Sequence, residues 1–441
     1  MRLASRPAVA LCLSAALGAP LRAAWGQEPA SAADSLRLGV LQHQATQVDP
    51  RQRQFGLLAK QTDLRLHNLS AERLPSFSAE GVAQYQSETI DASSVFGNAS
   101  IPTPNKDSYD SRLKIEQSIF DPTINARKKV EQASLAQSEA GVRTSLHTLR
   151  QEVNDAFFSG ALLAEQRRII AVTIADLEQQ LGEARVRVKE GAALPSDTGQ
   201  IQATLLLRRQ DEAQVEAKRK AAVIKLTELV QQPVSTSSPF VLPDLTAQTA
   251  QAQQGLDSLR ARPEFAQYAR SRDLLARQAD GLSADRLPKL SLFGQAGFGR
   301  PGLNPISDTF HGYYLGGIEV KWAPWNWGST GRERQALETQ ARIVATEEAA
   351  FKSRLSRQIQ DDLADIERLD TAQALDDQIV ALREGVAAET TVRFHEGVVT
   401  ASEYVDRSTD VLEARLARAT HSVEQVEARA RLLTTLGLEI Q

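Results

Sequence analysis

The chain has 441 residues, of which 42% are apolar and 24% charged, a composition that argues against wholesale disorder. The formal net charge is −4, and this mild acidity argues against nucleic acid as a partner, because binding phosphates requires a basic surface. The single cysteine, Cys12, lies near the N-terminus, so a mature chain without it has no disulfide, thiolate metal ligand or cysteine nucleophile.

Residues 1–26 have the pattern of a secretory signal peptide. Arg2 and Arg6 precede an apolar stretch, and the small-x-small sequence Ala24-Trp25-Gly26 follows as a cleavage site. The alternative is an uncleaved anchor helix, but the apolar stretch of about 12 residues is shorter than the roughly 20 that cross a bilayer. We predict an exported mature chain with a net charge of −7, because the removed segment carries three arginines and no acid.

An internal duplication organises the mature chain. Pro50 and Pro75 recur 213 residues later, and residues 186–197 recur 206 residues later as residues 392–403. The same landmarks in the same order indicate two copies of one structural unit.

Each predicted unit contains a helix, a β-hairpin, a long helix, a tip turn and a returning helix. The first unit spans residues 27–231 and the second residues 256–441. A linker rich in Gln, Ser, Pro and Thr joins them over residues 232–255.

Alternation of apolar and polar residues predicts two β-strands in each unit. From Phe77 to Tyr85, for example, every second residue is apolar or small. The strands are predicted at about residues 75–89, 109–120, 288–299 and 312–323. One apolar face and one polar face suit a strand between lipid and a wet lumen, although a solvated hairpin on a soluble core alternates in the same way.

Large aromatic residues lie where a predicted strand meets the next helix. They are Phe120, Trp322, Trp325 and Trp327. Because aromatic side chains are enriched at membrane–water interfaces, we predict that these residues form a membrane interface belt. The belt and the export signal favour the membrane interpretation of the strands.

A very long helix is predicted after each hairpin. Residues 123–190 contain no proline, and an apolar stripe at three- and four-residue spacing runs through them from Leu146 to Val188. This pattern is typical of a coiled coil, and nearly 70 residues make a rod of roughly 100 Å. Each long helix ends in a Glu-Gly pair, Glu190-Gly191 and Glu396-Gly397, where glycine suits the left-handed residue that closes a helix.

One chain supplies too few strands to cross a membrane by itself. Two hairpins give four strands, and an open sheet leaves unpaired edge groups that lipid cannot satisfy. Two copies would give a barrel of eight strands, and side chains fill the interior of a barrel of that size. Three copies would give 12 strands and leave a duct. We therefore predict three copies.

The ordered set of motifs resembles the TolC family of outer-membrane efflux proteins, over nearly all of the mature chain. The motifs of the first unit are Pro50, Leu74-Pro75, Ile119-Phe120-Asp121-Pro122, Arg187-x-x-Glu190-Gly191 and Asp197. Those of the second unit are Pro263, Leu287-Pro288, Pro324-Trp325-Asn326-Trp327-Gly328, Arg393-x-x-Glu396-Gly397 and Glu403.

This resemblance implies a mostly α-helical fold with a membrane β-barrel part. The family forms homotrimers with a 12-stranded barrel in the outer membrane, continued by a periplasmic coiled-coil tunnel of 12 helices. Such ducts work with a periplasmic adaptor protein and an inner-membrane pump to expel drugs, metals or polypeptides. The chain is therefore expected in the cell outer membrane, in contact with its lipid.

The resemblance also puts the two tip turns at the periplasmic mouth, in contact with the adaptor. Asp197, Glu403 and Asp406 follow these turns, and in a trimer they would form rings of carboxylates that favour cations at a channel gate. The alternative is that Asp197 and Glu403 only interact with the positive end of the returning helix. Val188 and Phe394 occupy positions where family members often carry tyrosine, which argues against a polar locking network at the mouth.

An enzyme is not expected. The six histidines are scattered without metal-ligand spacing, and no nucleophile or phosphate-binding motif occurs, so we predict no catalytic residue, metal or cofactor. The rival interpretation is a periplasmic coiled-coil structural or adaptor protein without a pore.

Overall fold

The computed structural model describes residues 35–89, 105–254, 261–304 and 307–440. The predicted signal peptide, residues 1–26, lies outside the described residues, as do residues 255–260, where the predicted linker passes into the predicted second unit.

Eight helices are described, and two of them are far longer than the others. Their bounds are α1 Leu38–Val48, α2 Gln52–Ala71, α3 Pro122–Lys189, α4 Pro195–Val230, α5 Thr246–Gln254, α6 Pro263–Ala284, α7 Ser329–His395 and α8 Ala401–Leu436. At about 1.5 Å per residue, α3 and α7 each extend roughly 100 Å. The mostly helical fold expected from the sequence is thus confirmed.

Local sequence explains where α3 begins. The carboxylate of Asp121 accepts a hydrogen bond from the backbone N–H of Thr123 at 2.9 Å, which satisfies one of the free donors of the first turn. Pro122 occupies the first helical position, where its missing N–H costs nothing.

Four strands form a single antiparallel sheet. They are β2 Ser76–Tyr85, β3 Asp107–Phe120, β5 Lys289–Arg300 and β6 His311–Lys321, in the order β2-β3-β5-β6. Each unit contributes one hairpin, and the two hairpins join where β3 pairs with β5. The first strand ends at Tyr85, four residues before the predicted end at residue 89.

The strand register separates the residues of this sheet into two unlike faces. Leu113, Ala296 and Tyr314 are cross-strand partners and therefore share one face, which also carries other exposed apolar residues. Those exposed apolar residues are Phe77, Ile115, Leu292, Phe298, Ile318 and Val320.

The opposite face of the sheet is charged. Arg112 forms ion pairs with Glu80 at 2.7 Å and with Asp110 at 3.3 Å. Further along this face, Lys114 pairs with Glu116 at 3.2 Å and Lys321 pairs with Glu319 at 2.9 Å. The sheet is therefore apolar on one side and laced with ion pairs on the other.

A second, small sheet joins the N-terminal segment to the linker. Strand β1, Leu36–Arg37, pairs in parallel with β4, Phe240–Val241. The ring of Phe240 packs edge-on against Phe157 of α3, with 5.4 Å between the ring centroids. The linker of residues 232–255 thus contains β4 and α5, and it packs on the helical core.

The long helix α3 is the centre of the packing. It contacts α2 and α4 of its own unit and also α6 and α8 of the second unit. Three apolar clusters fill the helical part, one around Phe157 and Leu433, one around Leu177 and Tyr404, and one around Leu369. The two units therefore share one core instead of folding side by side.

Candidate functional site

The tip turns close both long helices with the same hydrogen bonds. In the first, the N–H of Ala192 donates to the carbonyl of Arg187 at 2.7 Å, and Gly191 adopts a left-handed conformation with φ of 75°. In the second, Val398 donates to the carbonyl of Arg393 at 2.9 Å, and Gly397 also has φ of 75°. This is the Schellman arrangement, in which a positive φ favours glycine.

The returning helices begin just beyond these turns. The carboxylate of Asp197, at the third position of α4, accepts a hydrogen bond from the N–H of Leu194 at 3.1 Å. In α8 the hydroxyl of Thr400 caps the helix by accepting from the N–H of Glu403 at 3.3 Å. Asp197 is half-buried, whereas Glu403 and Asp406 are exposed. All three acids thus lie in the first two turns of a returning helix.

Two contacts link the tip of α3 directly to the tip of α7. Nη1 of Arg187 donates to the carbonyl of Phe394 at 2.7 Å, and its guanidinium lies over the Phe394 ring, 5.5 Å from the centroid. Nδ1 of His395 lies 3.2 Å from a carboxylate oxygen of Glu183. We call these two contacts, Arg187–Phe394 and Glu183–His395, the first tip clasp.

A buried tyrosine strengthens the same junction. The hydroxyl of Tyr404 donates to Asp176 at 2.8 Å, and its ring stacks on Phe394 with 5.1 Å between centroids. Burial, and next the hydrogen bond to Asp176, raises the pKa of Tyr404, so the phenol stays protonated as a donor. Side chains other than those at positions 188 and 394 thus provide the polar contacts between the two tips within the chain.

The predicted belt residues lie at the junction of sheet and helices. Trp322 follows β6 directly, and its Nε1 donates to the carbonyl of Arg286 at 3.1 Å. Trp325 and Trp327 contact each other edge-on at 6.0 Å between centroids, and both are largely exposed. Phe120, at a register shift at the end of β3, is 52% exposed. Four large exposed aromatic side chains thus mark one end of the sheet.

No described helix is long and apolar enough to cross a membrane. Within the same ranges, no group of three or more His, Cys, Asp or Glu residues could hold a metal ion.

Solved structures with the same fold cover almost the whole chain. CusC, described for its transmembrane channel formation, matches with 15% identity and a TM-score of 0.69, over 92% of this chain and 93% of its own. The outer membrane protein VceC of Vibrio cholerae matches with 15% identity and a TM-score of 0.67, over 92% and 97%. The MtrE outer membrane channel of Neisseria gonorrhoeae matches with 17% identity and a TM-score of 0.66, over 92% and 90%.

Sequence comparison gives a narrower match. None of the curated proteins matches the chain in sequence at a significant level. The family model of the outer membrane efflux proteins matches residues 65–230, which include the first hairpin, α3 and the first tip turn. Over these residues the chain is similar to the outer membrane efflux proteins, and it shares the fold of the solved structures above over more than nine-tenths of its length.

Proposed function

We propose that this protein is the outer-membrane exit duct of a tripartite efflux or secretion system. The observation that carries the proposal is the four-stranded sheet with one exposed apolar face and one ion-paired face, attached to two helices of roughly 100 Å. An outward face in contact with membrane lipid and an inward face towards a hydrated lumen explain both faces, whereas a solvated hairpin does not explain so much exposed apolar surface.

The edges of the sheet support a trimer. Strands β2 and β6 are the outer strands, and each has one edge that no described strand covers. In lipid such an edge must pair, so β6 of one copy would pair with β2 of the next. Three copies would close a barrel of 12 strands, and their helices would continue it as a periplasmic coiled-coil tunnel.

The direction of the molecule in the membrane follows from the belt. Phe120, Trp322, Trp325 and Trp327 would lie at the periplasmic interface of the outer membrane, where strands pass into helices. The tip turns Glu190-Gly191 and Glu396-Gly397, at the far ends of α3 and α7, would then meet a periplasmic adaptor protein and, through it, an inner-membrane pump. The cleaved signal peptide would direct the chain to this location.

A recording from planar lipid bilayers tests the proposal. The purified full chain should produce discrete conductance steps and should fractionate with the outer membrane. The rival interpretation is a pore-free coiled-coil rod in the periplasm. A protein that is found in the soluble periplasmic fraction and that produces no conductance would support the rod and contradict the duct.

We further propose that Asp197, Glu403 and Asp406 form the cation-selective gate at the periplasmic mouth. Rings of carboxylates near a constriction attract cations, and Glu403 and Asp406 are exposed as such a role requires. The triple variant Asp197→Asn, Glu403→Gln, Asp406→Asn should therefore lower the cation preference measured from the reversal potential in a salt gradient. Asp361→Asn, an exposed acid of α7 far from the tip, is the control. An unchanged preference in the triple variant would exclude the gate role.

A further inference from the structure

The internal repeat assigns a partner to a contact surface that one chain leaves open. An offset of 206 residues carries Arg187 to Arg393 and Glu183 to Glu389, and it carries Phe394 and His395 back to Val188 and Lys189. The first tip clasp joins residues of the first unit to residues of the second. The residues that the offset relates to this clasp would join the second unit to a first unit, and that first unit must belong to another copy.

The side chains that the offset relates to the first tip clasp make no contact of this kind with the other unit of the same chain. Arg393 contacts Glu389 of its own helix at 2.7 Å, and the two side chains are 54% and 65% exposed. Its counterpart Arg187 instead reaches across to the carbonyl of Phe394. Lys189, the counterpart of His395, is exposed as well.

Apolar residues along α7 show the same difference between the units. The exposed stripe of α7 consists of Leu375, Ile379, Leu382 and Val386. Its counterparts in α3 are engaged within the chain: Ile169, Thr173 and Gln180 are buried, and Asp176 bonds to Tyr404 of α8.

The helix that covers the α3 stripe also has an exposed counterpart. Leu412 of α8 is 1% exposed, in one apolar cluster with Ile169. Leu206 of α4, which the offset relates to Leu412, is 57% exposed. An exposed apolar stripe on α7 and an exposed leucine on α4 are thus two halves of an interface that exists once, fully formed, between α3 and α8.

We propose that a second copy of this chain completes this interface, with the α7 stripe of one copy packed against α4 of the next. At the tip, Arg393 donates to the carbonyl of Val188 of the neighbouring copy, and Glu389 pairs with Lys189 of that copy. We call these contacts the second tip clasp. The inference rests on the proposed trimer and adds to it the side chains that hold the mouth together between copies.

Charge supports a copy of this chain as the occupant. The first tip clasp sets an imidazole against a carboxylate, His395 against Glu183. The second sets an ammonium against a carboxylate, Lys189 against Glu389, so both contacts pair a nitrogen-bearing side chain with a carboxylate. Alternating first and second units then form a closed ring in which both kinds of tip junction use the same contacts.

Cross-linking in a cysteine-free background tests the inference. The mature chain has no cysteine, since Cys12 lies in the predicted signal peptide. The test variant is Lys189→Cys with Glu389→Cys, and the matched control is Glu183→Cys with His395→Cys, which labels the first tip clasp. Each full-length variant is first shown by native mass spectrometry to assemble as the wild type does, and is then treated with a short bis-maleimide and run on a denaturing gel.

The two variants should give different products. The control should react within one chain and migrate as a monomer, whereas the test variant should lose its monomer band to two- and three-chain bands. If the wild type is trimeric and the control reacts internally, but the test variant stays monomeric, the second tip clasp is wrong. If the wild type itself is not trimeric, the proposed trimer fails instead, so the two failures are distinguishable.

Discussion

At the residue scale, each tip contains a glycine in the left-handed conformation, which ordinary side chains resist. Gly397 has φ of 75°, and a Cβ there would lie 3.2 Å from Nη2 of Arg187. Gly385, in the interior of α7, has nothing within 4 Å of an added Cβ. The two glycines therefore form a matched pair for substitution.

We predict opposite effects for these two substitutions. Gly397→Ala should destabilise the fold by about 1–2 kcal/mol, because an L-residue resists the left-handed region. Gly385→Ala should stabilise it by roughly 0.4–1 kcal/mol, because alanine loses less backbone entropy in a helix. The measurement is the midpoint of thermal unfolding, followed by helical circular dichroism in detergent. Equal shifts for both variants would show that the backbone conformation at residue 397 carries no cost.

His147 makes the helical part sensitive to acid. Burial, and next the nearby Arg262 guanidinium, lower the pKa of His147 from 6.5 to about 4, while its Nε2–H donates to the carbonyl of Thr434 at 3.1 Å. Between pH 6.5 and 4 the unfolded chain binds a proton here that the folded chain does not. The contribution of neutral His147 to the free energy of unfolding should therefore be fully present above pH 6.5. It should be lost as the pH drops, by on the order of 3 kcal/mol near pH 4.

A substitution that keeps the hydrogen bond isolates this effect. His147→Gln retains a donor for the Thr434 carbonyl but cannot titrate, so its unfolding midpoint should depend less on pH between 6.5 and 4 than that of the wild type. His67→Gln, at an exposed position, is the control and should keep the wild-type dependence. A His147→Gln curve that parallels the wild type would contradict the assignment.

At the element scale, α7 and α8 are held together by ion pairs of very different burial. Arg431 pairs with Asp362 at 2.7 Å, and the side chain of Asp362 is only 4% exposed. Arg418 pairs with Asp377 at 2.6 Å, but both of these side chains are about half exposed. Burial is the largest influence on Asp362 and raises its pKa, so its charge depends on Arg431 for compensation.

Replacing the arginine of each pair should distinguish the contribution of a buried ion pair to the free energy of unfolding from that of an exposed ion pair. Arg431→Gln leaves a buried carboxylate without its charged partner and should lower the free energy of unfolding by about 3 kcal/mol. Arg418→Gln should lower it by less than about 1 kcal/mol, because water screens the exposed pair. Denaturant unfolding of both variants in detergent measures the difference, and similar losses would refute the distinction.

Helix ends were the most predictable elements. Pro122, Pro195 and Pro263 fix where helices begin, and Gly191 and Gly397 fix where the long helices end, because each residue type acts on its own local backbone. The bounds of α3, Pro122–Lys189, accordingly differ by one residue at each end from the predicted 123–190.

Contacts between distant parts of the chain were not predictable in the same way. Tyr404 and Asp176 are 228 residues apart, and nothing in either local sequence indicates their hydrogen bond. The pairing of β3 with β5 across the two units is equally non-local. The linker of residues 232–255 has a polar composition, yet it contains β4 and α5, and Phe240 of β4 packs against Phe157 in the core.

At the scale of the whole molecule, one chain leaves strand edges and apolar surfaces uncovered. Its sheet has two open edges and an exposed apolar face, and helix α7 carries an apolar stripe that no described element of the same chain covers. A trimer in the outer membrane would close the edges with strands, cover the sheet with lipid and bury the stripe between copies. All three features then have one explanation.

The mass of the assembled particle tests this account most directly. Native mass spectrometry of the protein extracted from purified outer membranes should show a particle of three chains that requires detergent to stay in solution. A monomer or dimer that is soluble without detergent would leave the apolar face of the sheet without a membrane role, and it would contradict the duct.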